Sequence, residues 1–345
     1  MAPHKVSLDF QQTHERQDAW DTLVNSDASE VVDLAAGVFH QGFKITQPGD
    51  VHQIARALGR RGKSESSRFQ NTAQSTPTAR GNIVANYSNL IRMLPYLFQK
   101  SADWPFTADG SIQSLYPCEY AELPDMKGSG EGYFATLTDR SPDASDSDRM
   151  GNSLINGGKF MIHHTDNDGI LAVETEWIGQ SHAIGSIGDG EIDTNLILSS
   201  AADPLFEWDD IVDVDFGGVD LTDYFLGAEF NVTSGAKFLQ DAPNGEVIFP
   251  EWIVDGNIVI GDNAAIEAMR GKVRSRGTSV AELLTISFGS AATPAALGDL
   301  RLSTFCYLTS DDDEADEGKI WTFGIEGLFG GAGEYPFEVE IFIPA

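Results

Sequence analysis

The sequence predicts a mainly β protein built as two tandem copies of one domain, each copy with a single helix. Three observations carry this. Glycine is abundant (35 residues), and Val, Ile, Thr, Phe and Trp gather in short runs, the composition of strands and turns. The stretch VDLAAGVFHQGFKIT (32–46) returns as VDLTDYFLGAEFNVT (219–233), 187 residues later. Two further echoes keep the same order. GNIV occurs at 81–84 and 256–259, 175 residues apart, and LAVETEWIG (171–179) is matched by WTFGIEGLF (321–329), 150 apart, with Glu176 falling on Glu326. Offsets that shrink in steps are what loop deletions in a duplicated domain leave behind. The chain of 345 residues then divides into an N-terminal arm (1–30), a first domain (31–185), a linker (186–205) and a second domain (206–345).

Within the first copy, QTHERQDAWDTLV suggests a short helix or an arm, and VFHQGFKIT a strand over 38–46. Residues 56–80 are rich in Arg, Ser, Thr and Gln, which predicts a long exposed loop. GNIVANY (81–87) is a strand. Ser88 should cap a helix whose Leu90, Ile91, Leu94, Leu97 and Phe98 recur at helical spacing, with Pro95 kinking it. A strand near 131–138 follows. KFMIHH and ILAVETEWIG around TDNDG then read as a hairpin over 159–179, and SHAIGSIGDGEIDTN as a Gly-rich linker. The second copy repeats this: a strand in 219–233, GNIVIGD, a short helix over 264–273, ELLTISFGS, a hairpin over 300–330 with an acidic turn, and a closing strand in 335–344.

The 53 acids against 22 bases give a net charge of −31. Nonspecific nucleic-acid binding needs a basic surface, so it is excluded, whereas an acidic surface can act near DNA by repelling it. Such self-repulsion suits screening salt, as in a halophilic or marine source. Cys118 and Cys306 are too few and too far apart for a disulfide framework or metal knuckle, and read as buried thiols. No leader or membrane-spanning run is evident, so folding in a cytoplasm is expected.

No motif carries catalysis. His163 and His164 are adjacent, so a strand would point them to opposite faces, and Asn-Asp-Gly after them is a turn signal. The run from Asp311 to Gly318 lacks the central glycine and spacing of a calcium loop and reads as a solvated turn. Gly179-Gln180-Ser181-His182-Ala183 lacks the last glycine of a nucleophile elbow, and GSGEGYF and GSIGDGE lack a phosphate-loop lysine. No metal, cofactor or catalytic set is expected. Trp177, Trp321, Phe323 and Phe337 are expected in a core or a subunit contact rather than on a glycan platform.

Charge is unevenly spread. Residues 186–260 hold sixteen acids and one base, Lys237. Residues 56–92 reverse this: Arg56, Arg60, Arg61, Lys63, Arg68, Arg80 and Arg92 face Glu65 alone. Arg270, Lys272, Arg274 and Arg276 form a second basic cluster. Basic loops on an acidic chain suit docking to the acidic surface of another copy, head to tail. On ILAVETEW, Leu171, Val173, Thr175 and Trp177 share one face. Glu174 and Glu176 share the other, as Glu326 does in the second copy.

Four segments resemble the tail tube (major tail) protein of long-tailed phages and related viruses. They are GNIVANYSNLIRMLPYLF, NGGKFMIHHTDNDGILAVETEWIG, GGVDLTDYFLGAEFNVTSG and GKIWTFGIEGLFGGAGEYPFEVEIFIP. The resemblance spans most of the chain through loose patterns. It implies β-sandwich or half-barrel domains, each with one flanking helix, joined edge to edge into rings that stack through loops and arms. Two fused tube domains imply a homotrimeric ring with pseudo-sixfold symmetry, a homohexamer being the single-domain alternative. It also implies a virion structural protein assembled in the host cytoplasm. Its partners would be further copies, the tape-measure, terminator and distal tail proteins, and double-stranded DNA passing without being gripped, with no membrane. Glu174, Glu176 and Glu326 would be lumen or sheet-surface acids. Arg56, Arg60, Arg61, Lys63, Arg68, Arg270, Lys272, Arg274 and Arg276 would be contacts between subunits or rings. The 56–80 loop, present in the first copy only, would break true sixfold symmetry. The competing readings are a tube of a secretion or contractile system, a carbohydrate-binding β-sandwich and a halophilic enzyme.

Overall fold

The computed structural model describes residues 11–16, 39–46, 50–53, 68–71, 76–99, 110–117, 134–140, 146–164, 169–186, 205–239, 246–248, 251–262, 264–274, 281–314, 320–331 and 333–343. The first half contributes β1 (Gln11–Arg16), β2 (Phe39–Thr46), β3 (Asp50–Gln53), β4 (Arg68–Asn71), β5 (Thr78–Val84), α1 (Tyr87–Phe98), β6 (Ser111–Leu115), β7 (Ala135–Arg140), β8 (Asp146–His163), β9 (Ala172–Ile178) and β10 (Ser181–Ser186). The second contributes β11 (Ile211–Phe216), β12 (Val219–Asp220), β13 (Phe225–Thr233), β14 (Lys237–Leu239), β15 (Glu246–Ile248), β16 (Ile253–Gly261), α2 (Ile266–Arg274), β17 (Glu282–Phe288), β18 (Leu300–Glu314), β19 (Ile320–Gly327) and β20 (Glu338–Ile343). The protein is mainly β, and sixteen of these strands form one antiparallel sheet.

The strand order of that sheet repeats. In the first half β1 pairs β7, then the order runs β7-β8-β9-β5-β2, and β10 pairs β8. In the second half β11 pairs β17, the order runs β17-β18-β19-β16-β13, and β20 pairs β18. A separate two-stranded hairpin, β3–β4 or β14–β15, intervenes at the same point of each half. The register repeats as well. Phe43 lies opposite Gly81 and Phe230 opposite Gly256; Gly81 lies opposite Thr175 and Gly256 opposite Ile325. These pairs are related by the offsets of 187, 175 and 150 seen in the sequence.

The halves meet edge to edge. β13 adds to the C-terminal part of β8, from Gly227 opposite His163 to Thr233 opposite Gly157. β20 also pairs β6. One apolar core runs beneath both halves, with Leu90, Leu94 and Leu97 of α1 and Ile266, Met269 and Val273 of α2 buried in it. Aromatic rings weld the junction: Phe337 stands 4.8 Å from Phe160, 5.4 Å from Phe230 and 6.3 Å from Phe98, centroid to centroid. Offset and tilted rings at such distances add to their burial energy. Trp177, Trp321, Phe323 and Phe337 are all core residues.

Several expectations need correcting. Residues 11–16, expected in a helix or arm, form a strand on β7. β8 begins at Asp146, well before the expected Lys159, and β10 occupies the start of the expected linker. α1 starts at Tyr87, so Ser88 lies inside it, and the Asn86 carbonyl accepts the Leu90 N–H. The helix continues through Pro95 and stops at Gln99, whose φ of 57° is left-handed. Asp311–Glu314 extend β18 rather than forming a solvated turn. The 165–168 turn, Cys118 and most of the 56–80 loop lie outside the described residues.

Candidate functional site: an acidic open face of the sheet

Alternation along the central strands turns one face to the core and helices and the other outward. Val173, Thr175 and Trp177 of β9 are buried, as are Trp321, Phe323 and Ile325 of β19; Glu174 and Glu326 are exposed and Glu176 half-buried. The three glutamates thus share the open face. The registers make Glu174 and Glu326 members of one row across seven strands: Asn82, Glu174, Lys159, Asn231, Asp255, Glu326, Tyr307. Glu176 lies in a neighbouring row, opposite Arg80.

Four further charged residues lie on this face: Arg80, read in the sequence as part of the basic stretch 56–92, and Lys159, Glu229 and Asp255, which the sequence alone does not single out. Arg80 reaches Glu176 at 2.9 Å, and Lys159 reaches Glu229 across the junction at 3.0 Å. Asn231 donates to Asp255 at 2.9 Å. Beside Arg80, Lys159, Glu174 and Glu176 lies a polar depression of about 310 Å³, where Gly157 of β8 carries no side chain between Glu176 and Thr233. The central rows so hold five carboxylates (Glu174, Glu176, Glu229, Asp255, Glu326) against two cations. The pair Asp255 and Glu326 stands directly cross-strand, an arrangement that costs stability and leaves a concentrated negative potential. Alternation within one strand finds Glu229 and Asp255, but which strands lie side by side is a long-range fact that periodicity does not carry.

The basic residues are differently placed. Arg68 opens β4, and Arg56, Arg60, Arg61 and Lys63 belong to the β3–β4 connection, outside the described residues. Arg270 is held within its own chain: it pairs with Glu267 at 2.9 Å and Asp311 at 3.1 Å, and its guanidinium lies 4.4 Å from the Trp321 ring. The hydrogen bond to Asp311, more than burial opposes, raises its pKa above the ordinary value. Lys272 pairs with Glu282 and sits 4.9 Å from the Phe216 ring. Arg274 ends α2, and Arg276 lies outside the described residues.

Among the described residues, no group of three or more His, Cys, Asp and Glu side chains converges to hold a metal. Cys306 is buried, and desolvation, then the charge of Glu282, pushes its thiol up to about 12, so it is no nucleophile. His163 is half-buried, and the exposed His164 packs edge-on against Trp208 at 5.3 Å. The open face of the described sheet thus carries more carboxylates than cations. No protein-family model matches the chain, and no curated protein matches it.

Proposed function

We propose that the chain is a structural virion protein, a two-domain tail tube subunit that assembles into stacked rings around a channel for genome DNA. The single observation that carries this reading is the repeated strand order, with the register matched over 43–46 and 230–233 and the two units joined edge to edge. A unit that pairs with its own copy through sheet edges is built for serial addition. Serial addition that closes on itself removes exposed edges, which otherwise invite aggregation. Two units per chain make three chains the expected ring, with pseudo-sixfold symmetry.

The open face supplies the channel lining in this reading. Glu174, Glu176, Glu229, Asp255 and Glu326 outnumber Arg80 and Lys159 on it, so phosphates are repelled and DNA slides without stopping. Arg56, Arg60, Arg61, Lys63 and Arg68, of β4 and the β3–β4 connection, are the proposed contacts to a neighbouring ring, as are Arg274 and Arg276. Arg270 and Lys272, already paired within the chain, contribute less. Assembly in the host cytoplasm with tape-measure, terminator and distal tail proteins completes the proposal. No catalytic role is assigned.

Negative-stain electron microscopy of the purified protein in molar salt, averaged end-on, tests it. Hollow rings or tubes of three two-lobed subunits are expected. Particles that stay monomeric at every concentration and salt would overturn ring assembly.

A further inference from the structure

The repeat makes one junction inside the chain, and among the described residues both halves of a second one have no partner strand. β13 covers the outer edge of β8 over residues 157–163. By repeat, β2 corresponds to β13 and β18 to β8. Among the described residues, β2 pairs only with β5, and Ser310–Glu314 of β18 pair only with β19. We infer that β2 of one copy adds antiparallel to the 310–314 edge of β18 in the next, in the register that β13 adopts on β8. This inference rests on the ring reading and specifies its seam.

Register transfer names the opposing positions. Lys159 faces Asn231 in the internal junction; their counterparts, through Glu174 and Gly324 on one side and the 187-residue offset on the other, are Ser310 and Lys44. Lys44 of one copy therefore lies opposite Ser310 of the next. Asp312 is diagonal to Lys44.

Charge distinguishes the two junctions. In the internal one the base is on the β8 side and the acid on the β13 side, Lys159 with Glu229 at 3.0 Å. In the open one the sense is reversed. β18 ends Ser-Asp-Asp-Asp-Glu with no base, whereas β2, Phe-His-Gln-Gly-Phe-Lys-Ile-Thr, has no acid. Two β18 edges repel each other, so symmetric pairing is disfavoured and head-to-tail addition remains. The occupant that fits an acidic edge of this length, in this register, is the basic β2 of a second copy.

Cysteine pairs in the full chain, with Cys118→Ser, test the seam. Directly opposed cross-strand positions lie within disulfide reach, and positions four residues out of register do not. Lys44→Cys with Ser310→Cys should give disulfide-linked multimers under mild oxidation, at least tenfold more than Lys44→Cys with Glu314→Cys. Lys159→Cys with Asn231→Cys, at the internal junction, should link within one chain and certifies the geometry. Rings in the microscope without the Lys44–Ser310 link, or equal linking at both registers, would overturn the seam and keep the tube reading. Monomers with neither rings nor links would overturn both.

Discussion

Asp299 and Gly256 show how single residues hold this sheet. Asp299 is 2 % exposed and accepts hydrogen bonds from the Ser290 N–H at 2.7 Å, the Ser290 hydroxyl, the Ala295 N–H at 2.8 Å and the Ala296 N–H at 2.9 Å. Burial raises its pKa, but these donors outweigh it and leave the carboxyl below its ordinary value. The carboxylate is thus favoured by folding. Its contribution is full above the unfolded pKa of about 3.9 and is lost as pH falls through the folded one. Asp299→Ala should lower stability by about 1–3 kcal/mol at pH 7, and the gap from wild type in urea denaturation should narrow below pH 4. An equal gap at pH 7 and pH 3 would refute the account. Gly256 is demanded by closeness: a Cβ there would run into the Glu229 carbonyl oxygen and the backbone carbon beyond it. Backbone cannot swing aside as a flexible side chain does. Gly256→Ala should therefore cost about 1–3 kcal/mol in the same titration. A glycine recurs in the same register at Gly81, opposite Phe43 as Gly256 is opposite Phe230.

At the scale of elements, what was legible follows the physics of each segment. The β9 and β19 strands show in the sequence because each buries one face and alternates, and α2 because Ile266, Met269 and Val273 recur at helical spacing. The first part of β8 does not. Arg149, Met150, Gly151, Asn152, Ser153 and Leu154 are all buried, so that stretch sits between layers and has no polar side to alternate with. β1 and β10 are short and polar, and exist through pairing to β7 and β8 rather than through propensity. The face shared by Glu174, Glu176 and Glu326 was legible for the same reason as their strands. That Lys159, Asn231 and Asp255 share a row with Glu174 and Glu326 was not, since a row across a sheet is set by strand order. Asp311 illustrates the same gap. In sequence it opens an acid run, and in the fold it is the partner that holds Arg270 over Trp321.

For the whole molecule, charge and repeat act together. A chain of net charge −31 resists association with itself unless its few bases are placed where copies meet. The repeated hairpins offer such a place with a built-in asymmetry. The β14–β15 connection spans 240–245, whereas the β3–β4 connection spans 54–67 and carries Arg56, Arg60, Arg61 and Lys63. Both hairpins have ladders separate from the main sheet, so altering the connection of the longer one removes none of the main sheet's strand pairings. Reversing Arg60 and Arg61 to Glu removes two positive and adds two negative charges per chain on a surface that must meet acids. The double variant should keep its thermal unfolding midpoint within a few degrees, because no described strand of the main sheet loses a partner. It should lose long tubes, with sedimentation showing single rings or free chains, and molar salt should restore only part of the assembly because the wrong sign persists within a Debye length of about 3 Å. Tubes of normal length would place the contact between rings elsewhere on the molecule. A collapsed melting transition would instead show that the hairpin supports the fold itself.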